Sequence, residues 1–112
     1  KALYACRYYM VKNHWQIYKH GADSSVKSGG FDAMPTFEAP KPVVDAALAA
    51  CKLIGDGFYG VDLKQAGDRV AVIEVNDNPS IDSGVEDQYL GNQLYASFME
   101  EFLRRLEERR RK

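Results

Sequence analysis

No apolar run in the sequence approaches the roughly 20 residues that a membrane-spanning helix needs, and no charged leader precedes a hydrophobic stretch. Neither a spanning helix nor a secretion signal is expected, and the cytoplasm is the default compartment. Charge of one sign is lacking as well. The 15 Lys and Arg against 16 Asp and Glu leave a net charge of -1, which offers no global field to attract nucleic acid. Cysteine is scarce, with only Cys6 and Cys51. Each sits in an apolar stretch, which reads as a pair of reduced core thiols rather than a disulfide. There is no GxxxxGK[ST] phosphate loop, since Lys27-Ser28-Gly29-Gly30 does not fit it. There is no Ser-His or Cys-His arrangement for nucleophilic catalysis. His14 and His20 have no Cys or second His beside them and read as solvated rather than as metal ligands.

What remains is an ordinary globular composition. Of 112 residues, 46% are hydrophobic and 28% charged, enough for one small core and too apolar for disorder. The chain begins at Lys1 and runs straight into a strand-like pattern, so residues 1–112 are expected to be a single domain cut from a longer protein. The segment 1–11 reads as a strand, with His14–His20 as its hairpin partner across Lys12-Asn13. Arg7 is the one charge inside that first run, and its structural role would be to reach solvent or a carboxylate. Residues 21–40 have no periodicity and read as a long loop.

Two amphipathic helices follow from apolar residues at helical spacing. The first, Pro42–Ile54, carries Val44, Ala47, Leu48, Cys51 and Ile54 on one stripe, with Pro in its first turn and Gly55 beyond its end. The second, Asn92–Arg111, carries Leu94, Tyr95, Phe98, Phe102 and Leu106, with Asn92 as its expected N-cap. Its Glu and Arg residues recur three and four apart, and the terminal Arg109–Lys112 cluster suits a helix C-terminus. With about four strands, the fold class is α+β, a mainly antiparallel sheet with helices packed on it.

The chemistry is concentrated in residues 57–79, GFYGVDLKQAGDRVAVIEVNDNP. Phe58–Lys64 and Arg69–Asn76 read as two strands about a turn at Ala66-Gly67-Asp68. Strict alternation puts Glu74 and Asn76 on the face of Val70 and Val72, and Asp62 on the face of Gly60 and Lys64. Whether these polar residues meet depends on the turn. A two-residue loop pairs Asp62 with Ile73 and sends the carboxylates to opposite faces. An odd loop pairs Asp62 with Val72 and gathers Asp62, Glu74 and Asn76 into one set of oxygen ligands. Such a set suits Mg²⁺, which takes one or two carboxylates and leaves other positions to substrate phosphates. The plainer alternative is a solvated hairpin face.

GVDL followed by IEVNDNP resembles the metal-binding end of the ATP-grasp ligases, and more closely their RimK-like branch, which joins amino acids, often glutamate, to an amine. The resemblance is carried by residues 57–84. It implies the C-terminal half of an ATP-grasp fold and an ATP-dependent carboxylate–amine ligase working through an acyl phosphate. It assigns Asp62, Glu74 and Asn76 to Mg²⁺ (or Mn²⁺), and Arg7 to the transferred phosphoryl group. Lys27 and Asn78 become candidates for contacting phosphate or the acid substrate, with Ser80 and Asp82 in the same loop. The loop after the first strand departs from the Arg-Ser-Asn pattern of that branch, which leaves the acid open. In this family ATP lies between two lobes, and the adenine-contacting strands come earlier in the chain. The implied partners are therefore ATP, a carboxylic acid, an amine and an upstream lobe. The 112 residues alone are expected to be inactive and prone to self-association. The competing reading is a non-enzymatic α+β interaction module.

Overall fold

A computed structural model describes residues 1–8, 18–20, 26–28 and 31–112. These residues form a small α+β fold with three antiparallel strand pairs and two helices among them. The pairs are β1 (Ala5–Tyr8) with β4 (Phe31–Met34), β2 (Tyr18–His20) with β3 (Val26–Ser28), and β5 (Gly60–Ala66) with β6 (Arg69–Asn76). The helices are α1 (Lys41–Ile54) and α2 (Asn92–Arg111).

The N-terminal third corrects two expectations. β1 pairs with β4, Arg7 opposite Asp32, and the described part of its expected hairpin partner, Tyr18–His20, pairs with β3 instead. The stretch 21–40 contains β3 and β4 instead of being one loop. Strands of three or four residues are too short to show an alternating pattern, which explains why the sequence hides them. The turn expected at Lys12-Asn13, and His14, lie outside the described residues.

α1 begins at Lys41 after Pro40, with Pro42 in its first turn, where a missing N–H costs nothing. It ends at Gly55, whose φ of 145° lies outside the comfortable range of other residues and whose N–H donates to the Cys51 carbonyl. The helix lies against both β5 and β6. The predicted stripe is only half covered: Val44, Ala47 and Cys51 are half-buried, while Leu48 and Ile54 are exposed.

α2 is held by loops rather than by strands. Leu94 and Phe98 are its buried residues, at 0% and 4% exposure. Phe98 meets the ring of Phe58 edge-on at 4.9 Å and that of Tyr4 at 6.4 Å; Phe102 meets Phe58 at 6.1 Å. Farther along the helix, Arg105 donates to the Asp56 carboxylate at 2.7 Å. Tyr4, Asp56 and Phe58 thus bind the long helix to the body of the fold. Arg105 and Arg104 also share Glu101, and together they hold its carboxyl down to about 2. The N-cap of α2 is Gly91, at a φ of 55°, and not Asn92; no side chain caps this end. Among the described residues no helix is long and apolar enough to cross a membrane, and both Cys6 and Cys51 are free thiols.

Candidate functional site

The β5–β6 hairpin decides where the polar residues go. Ala66 pairs with Arg69, so the turn is the two-residue Gly67-Asp68, with Gly67 at a φ of 58°. Regular pairing runs from there to Leu63 opposite Val72. Continued one step further, it would set Asp62 against Ile73, the arrangement that separates the carboxylates. It does not continue. Between Leu63 and Asp62 the register shifts: Ile73 is passed over, and Asp62 pairs with Glu74, Val61 with Val75, and Gly60 with Asn76. A β-bulge adds one residue to one strand and so shifts which side chains share a face.

The bulge corrects the face assignment. Val70, Val72 and Val75 share a face with Val61, Leu63 and Gln65, while Glu74 and Asn76 join Gly60, Asp62 and Lys64. The half-buried residues Val61, Leu63, Val70 and Val75 all fall on the apolar face. On the polar face Asp62, Glu74 and Asn76 are exposed. The physical reason lies in the spacing of the valines on β6. Val70 and Val75, the half-buried residues of β6, are an odd five positions apart, so both can face the same side only if one residue drops out of the alternation. That broken spacing is the signal in the sequence from which the bulge could be read.

Asp62 and Glu74 therefore stand directly opposite each other, where Cβ atoms in an antiparallel pair are about 4.5–5.5 Å apart. Asn76 lies next on the same face. Its side-chain Oδ1 accepts the backbone N–H of Asn78 at 2.9 Å, which fixes the carboxamide and leaves a second lone pair on the oxygen. Asn78 thus acts on the site through its backbone, and its own side chain is exposed. The loop is seated by Pro79. A Cβ on Gly60 would come within 2.8 Å of the Pro79 Cβ, so only glycine lets this proline close over the end of β5.

The three oxygen-bearing residues and Arg7 line one broad, open cleft of about 1870 Å³, together with Ser80 and Glu86. Lys27 is not brought near. It stands opposite Lys19 in the β2–β3 pair, and among the described residues these two strands approach no other helix or strand. Glu86 is a cleft residue that sequence reasoning missed, since nothing sets it apart from the other acids of its polar loop. Its carboxylate accepts the Asp82 N–H at 2.6 Å. Its charge also reaches Tyr4 and Cys6. Burial, and after it Glu86, pushes the Tyr4 hydroxyl up to about 12, and the same two causes raise the Cys6 thiol. Cys6 is therefore held protonated and is a poor nucleophile.

The donor set of Asp62, Glu74 and Asn76, two carboxylates and a carboxamide oxygen exposed on one face, has the chemistry a hard divalent cation selects. Among the described residues no group of three or more His, Cys, Asp or Glu is placed to hold a metal, so the carboxamide and outside ligands would have to complete the coordination. No protein-family description, curated protein or solved structure matches the chain.

Proposed function

We propose that this chain is the cation-binding part of an ATP-dependent carboxylate–amine ligase of the ATP-grasp kind, RimK-like branch, acting together with an upstream lobe. The observation that carries the reading is the bulge at Ile73, because it sets Asp62 against Glu74 and turns Asn76 to the same side. A hairpin with no task on its polar face has no need of two carboxylates in register, since like charges directly opposite each other destabilise an antiparallel pair.

In this reading Asp62 and Glu74 supply the anionic ligands and Asn76 a neutral one, held in place by the Asn78 N–H. A divalent cation there supplies charge neutralisation for phosphate oxygens during phosphoryl transfer. Arg7, across the same cleft, presents a permanently charged planar group suited to phosphate or acyl-phosphate oxygens. Gly60 and Pro79 keep the rim of the site closed against β5. No side-chain nucleophile is called for. Cys6, kept as a thiol by burial and Glu86, would stay out of the chemistry.

The test is calorimetric titration of Mg²⁺–ATP into the complete protein that carries this chain, wild type against Glu74→Ala. Loss of binding in the variant supports the ligase reading. Equal binding by both removes the hairpin from the nucleotide site. It would favour a second reading, a non-enzymatic interaction module, whose support is the number of large apolar side chains left in solvent, Leu53 at 90% and Phe37 at 82% among them.

A further inference from the structure

One flank of α2 is largely uncovered among the described residues, touching the body only where the Phe102 ring meets that of Phe58. Met99, Phe102, Leu103 and Leu106 follow one another at spacings of three, one and three, which places them on one side of a helix, and they are 62, 42, 57 and 57% exposed. They lie beside the Leu94–Phe98 row that packs on the body, so the apolar band of α2 is wider than the surface available to cover it.

The charges around this flank say what fits it. Arg109, Arg110, Arg111 and Lys112 gather at the C-terminal end of α2. At its N-terminal end the preceding loop presents Asp82, Glu86 and Asp87, and Asp87 is held against the first turn by the Tyr95 hydroxyl at 2.8 Å. One end of the flank is basic and the other acidic, with an apolar row between. Such a surface is complementary to itself turned end for end.

We infer that α2 pairs with α2 of a second copy of this chain, antiparallel, about a two-fold axis passing near Phe102 and Leu103. In that arrangement Met99 meets Leu106 of the second copy, and Arg110 comes level with Tyr95 and Asp87 of the second copy. A parallel pair would instead stack four cations on four. Isologous two-fold contacts are the commonest route to a dimer, and complementary charge selects orientation more than it adds affinity.

Sedimentation equilibrium of the 112-residue chain, across protein concentration and at low and high salt, tests this. The expected result is a monomer–dimer equilibrium that Leu103→Glu shifts fully to monomer with helical circular dichroism unchanged, and that Met99→Gln weakens. The pair Arg109→Glu with Arg110→Glu is expected to weaken the dimer by about tenfold at low salt, with a smaller effect at high salt. A monomer at every concentration, or a dimer indifferent to Leu103→Glu and Met99→Gln, overturns the inference. A dimer broken by Leu103→Glu but untouched by the charge reversal refutes the antiparallel pairing.

Discussion

Replacing Glu74 with Gln should make the protein more stable without a divalent cation and insensitive to one. Asp62 and Glu74 are register partners on an exposed face. Two unit charges about 5 Å apart repel by about 0.8 kcal/mol at the dielectric constant of water. Cross-strand pairs generally contribute about 0.2–1 kcal/mol. Lys64 and Arg69 share the polar face and moderate the field, so the gain from Glu74→Gln belongs in the lower half of that range. A cation bound by both carboxylates reverses the balance. At ten times its dissociation constant it stabilises the wild type by about 1.4 kcal/mol, several degrees of midpoint for a chain of this size. The assay is thermal unfolding followed by circular dichroism, with and without millimolar Mn²⁺, for wild type and Glu74→Gln. The expected pattern is a variant slightly above the wild type in chelator and below it in Mn²⁺. An equal rise of both midpoints with the cation would refute the reasoning, because the binding would then lie elsewhere.

Three further outcomes follow from the packing and the charges. Phe98→Ala removes the ring that joins Tyr4 and Phe58 to α2; it should cost about 3–5 kcal/mol, against about 1 kcal/mol for the half-exposed Phe102→Ala, as read from urea unfolding midpoints. Gly60→Ala drives a methyl group into Pro79, so it should lower stability by about 1–3 kcal/mol and blunt the Mn²⁺ response without removing either carboxylate. In a Cys51→Ala background, iodoacetamide should modify Cys6 slowly at neutral pH and faster as pH rises through its raised pKa. Because Glu86 contributes to that shift, Glu86→Gln should move the rate profile to lower pH.

The helices were legible in the sequence because their signals are local and redundant. Pro42 and Gly55 bracket α1, and the recurrence of Leu94, Phe98 and Phe102 marks α2. The existence of the β5–β6 hairpin was legible for the same reason. Its register was not, because parity depends on two separate features, the turn at Gly67-Asp68 and the irregularity at Ile73, and counting from either one alone gives the wrong face. The nearness of Asp62 to Glu74 came out as one branch of the sequence reading had it, but by a different route: an even turn and a bulge rather than an odd turn. β3 and β4 stayed hidden because so few residues carry no period and their pairing is non-local. Glu86 stayed hidden because a cleft gathers residues from separate stretches, and no spacing in one stretch records that Tyr4 and Cys6 will lie within reach of its charge.

The bulge at Ile73 also means that β6, a strand of 8 residues, is two ladders in different frames spliced together. From Arg69 to Val72 the frame is set by the turn; from Glu74 to Asn76 it is set by the oxygen-bearing residues. Each half can answer a separate demand, one for seating Val70 and the turn and the other for presenting carboxylates to solvent. A regular strand would have to trade one demand against the other. Loss of Ile73 would leave both ladders joined in a single frame with the same faces. Ile73 looks, by its bulk and apolarity, most like core, yet it is the residue the pairing passes over, and it stands 59% exposed.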